Sequence, residues 1–344
     1  MLHAGLDLSR KRLDVHVMDA EMATVAVSGV APDRDGLRSL VARFPGQEVR
    51  AVIESMTGAR FVHDELERLG WTVEIADAQR VKGLAPLACK TDKIDARVLA
   101  ELSCRDLVPS IWLPTPEVRA ARERARWRLH LVRHRKALKS RIHATLMTFG
   151  HPCPVSDLFG VRGRQLLDAL QLPEPWNGTV HASLRLMDEI SQEIDACEAE
   201  LRAVGGDNPD VELLMTVPGI GWILASTILG EIGDITRFAS PAKLCGYTGL
   251  CPRVYQSGTK DRRGPLAKNG PKYLRWALIE ATTHACKHPA FRAHYEATAQ
   301  RLGRQRGKKI ARVEVARKLA EAIWYMLTRH QAFAPAGPTH FMAA

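Results

Sequence analysis

Three short runs near the amino terminus alternate apolar and polar residues: His3–Ser9, Arg12–Asp19 and Thr24–Val30. Period-two alternation marks half-buried strands, and polar turns separate the three. Asp33–Phe44 switches to helical spacing through Leu37, Leu40 and Val41. Val49–Ser55 is an apolar run fit for a buried strand, and Gly58–Leu69 returns to helical spacing. Thr72–Ala76 predicts another strand and Thr91–Cys104 a helix. The order is therefore β-β-β-α-β-α-β-α.

Pro109, Pro114 and Pro116 mark a linker. From Glu117 to about Phe149 there is neither Pro nor Gly, which predicts one long helix dense in Arg and Lys. Pro152–Gly178 is broken, with a short helix around Gln165–Leu170, and His181–Val204 predicts a second long helix with a mostly acidic polar face. Two long helices flanking a break form an antiparallel arm, either a coiled-coil dimerisation element or a solvated hairpin. From Val211 to about His330 the chain reads as mainly helical, with a Gly- and Lys/Arg-rich loop from Thr248 to Pro271. These signals divide the chain into residues 1–108, 109–206, 207–331 and a tail, 332–344. Three hairpin-connected strands followed by alternating helices and strands is the RNase H-like (RuvC-like) order, not a doubly wound series. The expected architecture is an α/β RNase H-like domain, a helical arm, and a mainly α C-terminal domain.

With 344 residues and 46% hydrophobic content, the chain can build two or three packed cores. It has no apolar run long enough for a membrane span and no signal-peptide pattern. Seven scattered cysteines, none in a Cys-x-x-Cys pair, predict a reducing, cytoplasmic setting and no zinc ribbon. The net charge of +11 changes the picture most. Bases and acids nearly cancel up to about Arg105, so the excess lies in the later two-thirds. A near-neutral domain joined to basic ones suits an enzyme that keeps acids at its centre and holds phosphates elsewhere.

Four acids then stand out. Asp7 lies mid-strand in AGLDLS, Glu54 ends the strand AVIES, and Asp92 and Asp95 share one face at the start of a helix. In the RNase H-like order the first and fourth strands are adjacent and parallel, and the last helix packs across their ends. Clustered carboxylates repel unless cations neutralise them, and oxygen-only ligands favour Mg²⁺ or Mn²⁺. Two such ions about 3.5–4 Å apart support phosphodiester transfer. Each acid also has a plain structural reading, as a turn acid, a cap or a helix-dipole partner. Asp14 and Asp77 are spare acids near strand segments.

VPGIG at Val217–Gly221 resembles a helix-hairpin-helix turn, where Gly219 and Gly221 would let the backbone approach a phosphate. An ordinary tight helix connection is the alternative. Ser257 sits in a loop with Lys260, Arg262, Arg263, Lys268 and Lys272. A hydroxyl among cations is what a phosphate-attacking nucleophile needs, although a loop serine is often simply polar surface. Arg126, Arg133, Arg135 and Lys139 of the first long helix are further candidates for nucleic-acid contact. His130 and His134 lie four apart but have no nearby acid, so they predict no zinc site.

Taken in order, GLDLSRKRLDV, VIESMTG, KTDKIDAR, VPGIG, CGYTGLCPR and QSGTKDRRGPLAKNG resemble the DEDD transposases of bacterial insertion sequences, over nearly the whole chain. That resemblance implies Asp7, Glu54, Asp92 and Asp95 as metal-binding acids and Ser257 as the residue that links covalently to DNA. It also implies donor and target DNA as partners, a structured guide RNA made from the element, and a dimer assembling into a tetramer with active sites shared between subunits. Two other functions remain compatible with the residues: a junction-resolving nuclease of the same fold that uses water, and a non-catalytic nucleic-acid-binding protein.

Overall fold

The computed structural model describes residues 1–84, 92–151, 153–257, 260–303 and 305–334, and within them not the side chains at 92, 93, 257, 260, 261 and 263. Most of the 332–344 tail and the Thr91 helix start thus lie outside the described residues. Two compact units form, Met1–Leu113 and Pro114–Ala344.

The first unit contains β1 (Leu2–Leu8), β2 (Leu13–Met18), β3 (Thr24–Val30), α1 (Arg34–Val41), β4 (Val49–Glu54), α2 (Ala59–Arg68), β5 (Thr72–Ala76), α3 (Ala78–Leu84) and α4 (Asp92–Cys104). Its strands make one sheet in the order β3-β2-β1-β4-β5. β1 runs antiparallel to β2 and parallel to β4, which is in turn parallel to β5. The helix α3 was not expected. It is seven residues long with Val81 as its buried residue, too short to leave a periodic signal, and Asp77 starts it by accepting from the Gln79 amide at 2.9 Å.

Strand alternation gives the sheet two different faces. Leu6, Val15 and Ile53 point to one, where they pack with Leu37 and Leu40 of α1 and Val62 and Leu66 of α2. His3, Gly5 and Asp7 belong to the other. There Leu99 and Leu102 of α4 pack with Val52, Ala76 and Val81. A Cβ on Gly5 would fall 1.8 Å from the Ala96 carbonyl oxygen and 2.6 Å from the Ala100 nitrogen. The α4 backbone therefore rests directly on β1, which requires glycine below and small residues above. At its other end the Ser103 hydroxyl hydrogen-bonds His3 Nδ1 at 2.8 Å.

The second unit opens with α5 (Pro116–Thr148), whose 33 residues span about 50 Å. Thr115 caps it by accepting from the Val118 amide, and proline fits its first turn. After α6 (Val161–Ala169), α7 (Trp176–Gly205) returns along α5. Arg124 pairs with Glu200 at 2.6 Å, Arg128 with Glu198 at 2.6 Å, and Arg135 donates to the Ser191 hydroxyl at 3.1 Å. Partner numbers fall along α7 as they rise along α5, so the helices are antiparallel and the acidic face of one neutralises part of the other.

Beyond the arm come α8 (Pro209–Met215), α9 (Trp222–Ile232), α10 (Pro241–Tyr247), β6 (Pro252–Ser257), β7 (Lys260–Leu266), α11 (Lys272–Ala285), α12 (Pro289–Arg301) and α13 (Gly307–Arg329). Leu214, Ile228, Leu278, Leu319 and Ile323 are among the residues of their common core. The expected loop from Thr248 to Pro271 is instead largely the antiparallel ribbon β6–β7. Its residues Arg253, Tyr255 and Arg262 are exposed, so no apolar face betrayed the strands in the sequence. Among the described residues no helix is long and apolar enough to cross a membrane.

Gly5→Ala should lift α4 from the sheet and cost about 1–3 kcal/mol or more, read by chemical denaturation. Burial holds the His3 and His16 imidazoles below their ordinary pKa, helped by the positive charges of Arg50 and Arg97 respectively. Both groups are lowered on folding, so their stabilisation is complete above the unfolded pKa of about 6.5 and is lost as pH falls below it. The thermal midpoint should be flat above pH 7 and fall below about 6.5, less steeply in His3→Gln.

Candidate active site

The register between β1 and β4 aligns Gly5 with Val52 and Leu6 with Ile53. One step further, Asp7 and Glu54 lie side by side on adjacent strands, and alternation puts both on the face that α4 covers. Asp14, opposite Asp7 on β2, shares that face but is buried and ion-paired to Arg12 at 2.9 Å. The α4 axis runs against β1: Ser103 meets His3, and Ala96 and Ala100 straddle Gly5. Asp7 is two residues, about 6.6 Å, beyond Gly5, and one α4 turn covers about 5.4 Å. The first turn of α4, from Asp92 to Asp95, is thus level with Asp7.

Three elements therefore carry acids to one end of one sheet face. Glu54 does not cap α2, whose N-cap is Gly58 with no side-chain bond. Asp77 is occupied as the cap of α3. Among the described residues no group of three or more His, Cys, Asp and Glu is close enough to hold a metal ion, and the Asp92 side chain is not one of those described. The backbone placement and the all-oxygen donor set fit a hard divalent cation.

Ser257 is the last residue of β6, aligned with Lys260 across the ribbon; its side chain, with those of Lys260 and Arg263, lies outside the described residues. The ribbon's base is firmly held. Arg275 donates to the Thr248 and Gly270 carbonyls at 3.2 and 3.3 Å, and Thr248 and Leu250 are fully buried. Arg262 projects from β7 and Lys268 from the base, both exposed.

Residues 216–221 join α8 to α9 as a tight turn. Gly219 has φ +89°, and a Cβ there would lie 2.3 Å from the Ala281 carbonyl oxygen. Its glycine is demanded by packing on α11, which the expected phosphate approach does not require. Gly221 is open to its surroundings and precedes the first turn of α9. A cleft of about 530 Å³ lies here, lined by Pro218, Gly219, Gly221, Leu224, Glu280 and His284 among others.

Residues 4–150 match a DEDD transposase family model of the IS110 type, and residues 211–296 match that of the transposase IS116/IS110/IS902 family. The chain belongs to the IS110 transposase family. The "Probable family 20 transposase" of Pseudomonas aeruginosa is 28% identical over 96% of this chain and 98% of its own length. The transposase for insertion sequence element IS1328 of Yersinia enterocolitica is 27% identical over 96% and 97%. That for IS1111A of Coxiella burnetii is 26% identical over 82% and 78%.

In this IS110-family chain the candidate bases of α5 divide by what they touch. Arg126 grips Glu231 of α9 with two donors, at 2.6 and 2.9 Å, and the Glu231 side chain is only 2% exposed. The Glu231 carboxylate raises the pKa of Arg126 through that hydrogen bond. Arg126 is therefore a structural partner of a buried carboxylate, a role not expected from the sequence. Arg122 joins it, donating to the Gly230 and Glu231 carbonyls at 2.7 and 2.9 Å. The available signal was Glu231 itself, an acid inside the apolar helix ILASTILGEI that must find a cation. Arg135 is engaged with Ser191, and Lys139 lies 4.8 Å from the Phe159 ring. Arg133 and Lys272 are exposed and flank the Tyr273 ring at 5.6 and 5.1 Å.

Arg126→Ala should cost about 3–5 kcal/mol in urea denaturation because it strands a buried charge. Adding Glu231→Gln should recover most of the loss.

Proposed function

We propose that this protein is an insertion-sequence transposase that cuts and joins DNA through an RNase H-like (RuvC-like) acidic centre and the nucleophile Ser257. The reading is carried by one observation: Asp7 and Glu54 are neighbours on the face where the first turn of α4 arrives. Asp7, Glu54, Asp92 and Asp95 would together hold Mg²⁺ or Mn²⁺, as two ions. Such ions, when bound, polarise the scissile phosphate and offset charge on the leaving oxygen.

The chain's own residues do the rest. The Ser257 hydroxyl attacks phosphorus, the bond to the leaving strand breaks, and the departing oxygen takes up a proton. The product is a phosphoserine ester and a free hydroxyl end. A hydroxyl from the second strand then attacks that ester, restoring a phosphodiester and the serine. Cations on and beside the ribbon, Lys260, Arg262, Arg263, Lys268 and Lys272, counter the charge that develops on the phosphate. Gly221 and the first amides of α9 hold backbone phosphate without reading sequence. Sequence choice falls to a structured guide RNA.

The acids and Ser257 belong to different compact units. The resemblance to DEDD transposases implies an active site that takes its acids from one copy and its serine from another, in a dimer that assembles into a tetramer on DNA. The excess of +11 charges suits these polyanionic partners, and the scattered cysteines suit the cytoplasm.

Ser257→Ala should abolish a denaturant-resistant protein–DNA adduct while DNA binding stays within about twofold. Asp7→Asn should abolish Mg²⁺-dependent cleavage, by at least about a hundredfold. An adduct undiminished in Ser257→Ala would overturn the serine step. Cleavage by wild type with no adduct at any time would favour a water-using nuclease.

A further inference from the structure

The outer face of α5 carries side chains that neither the acidic centre nor the Ser257 ribbon uses. Trp127 is 46% exposed, yet its ring is not loose: it stacks on His130 with centroids 5.5 Å apart and planes at 21°. His130 meets His134 edge-on at 4.4 Å, with their Nε2 atoms 2.9 Å apart. Spacings of three and four residues place these rings in one stripe along the helix. The result is a fixed aromatic surface open to solvent.

Positive charge lies beside it. Three cations crowd the Tyr273 ring, Arg126 at 4.9 Å, Lys272 at 5.1 Å and Arg133 at 5.6 Å. Arg126 is neutralised by Glu231. Among the described residues neither Arg133 nor Lys272 has a carboxylate within ion-pair distance, and both are exposed. Glu123, one turn before Trp127, is the acid nearest this stripe along the helix. Like charges held together without a protein counter-ion call for an external anion.

We infer that the exposed stripe of α5, with Trp127 as its stacking platform and the neighbouring Arg133 as its phosphate contact, binds unpaired DNA. Any base offers a planar face to an exposed indole, whereas a duplex keeps those faces stacked inside itself. Cations beside a stacking ring are the combination that follows a single strand, and the strong salt dependence of such binding comes from the released counter-ions. The inference rests on the reading of this chain as a strand-exchanging enzyme, because exchange leaves strands transiently unpaired.

The test uses the full-length protein and fluorescence anisotropy with labelled oligothymidylate, a duplex of equal length, and oligouridylate. Trp127→Ala should weaken oligothymidylate binding about tenfold, since stacking contributes roughly a tenfold factor or more per base, and should leave duplex binding within about twofold. Trp127→Phe should restore most of the loss, and Arg133→Gln should weaken both DNA forms and flatten the salt dependence. Unchanged oligothymidylate binding in Trp127→Ala, or equal losses on the duplex, would overturn the inference. Tighter oligouridylate binding that carries all the Trp127 dependence would overturn it in favour of RNA. Wild type binding no DNA at all would sink the strand-exchange reading too, whereas binding indifferent to Trp127 would sink this inference alone.

Discussion

One close contact determines where the acids of the first unit fall: α4 lies with its backbone against Gly5 of β1. A single methyl on Gly5 would intrude to 1.8 Å from the Ala96 carbonyl. With side chains removed from the interface, the helix axis is held at one height and angle over the central strands. Its first turn then arrives at the end of the sheet where β1 and β4 deliver Asp7 and Glu54. Leu99 and Leu102 reinforce the contact from the apolar side, and the buried His3–Ser103 hydrogen bond pins the far end. The chemistry proposed for the acids thus depends on a steric fact about a residue that carries no chemistry itself.

The second unit depends on a different kind of constraint, a buried carboxylate. Glu231 ends an apolar helix, and desolvation of its charge is offset by the two-pronged Arg126. Arg122 occupies the last carbonyls of the same helix, where cationic groups complement the helix dipole. Together they fasten α5 to α9, so the arm and the helical C-terminal region form one compact unit. Farther along, the acids of α7 neutralise the inner face of α5, Arg133 lies over the Tyr273 ring on the side that Arg126 also faces, and the aromatic stripe is exposed beside it. The strongly basic helix therefore presents different surfaces: one to a protein carboxylate, one to a protein helix, and an exposed one that carries Trp127.

Much of this was legible in the residues and some of it could not have been. The strands of the first unit announce themselves through apolar residues: β1, β2 and β4 are buried on both faces and read as largely apolar runs, while β3 has an exposed face and reads as an alternation. The acids were legible for the related reason that Asp7 interrupts an apolar strand. By contrast, β6 and β7 have no buried face, so backbone pairing alone defines them and the sequence reads as loop. Arg126 looked like any other base of α5, because its partner is 105 residues away. Gly219 reads in the sequence as a glycine for phosphate approach, and the requirement for glycine that the structure adds is the α11 backbone against it. In each of these cases the deciding partner is distant in sequence, and local pattern carries no trace of it.

The central claim is that the acids of β1, β4 and α4 share divalent ions. Manganese binding to the full-length protein, followed by electron paramagnetic resonance at increasing Mn²⁺, measures it directly. Two spin-coupled Mn²⁺ ions per chain, lost together in both Glu54→Gln and Asp95→Asn, are what the account predicts. Absence of tight Mn²⁺ binding to the folded protein, or binding that survives both substitutions, would contradict it.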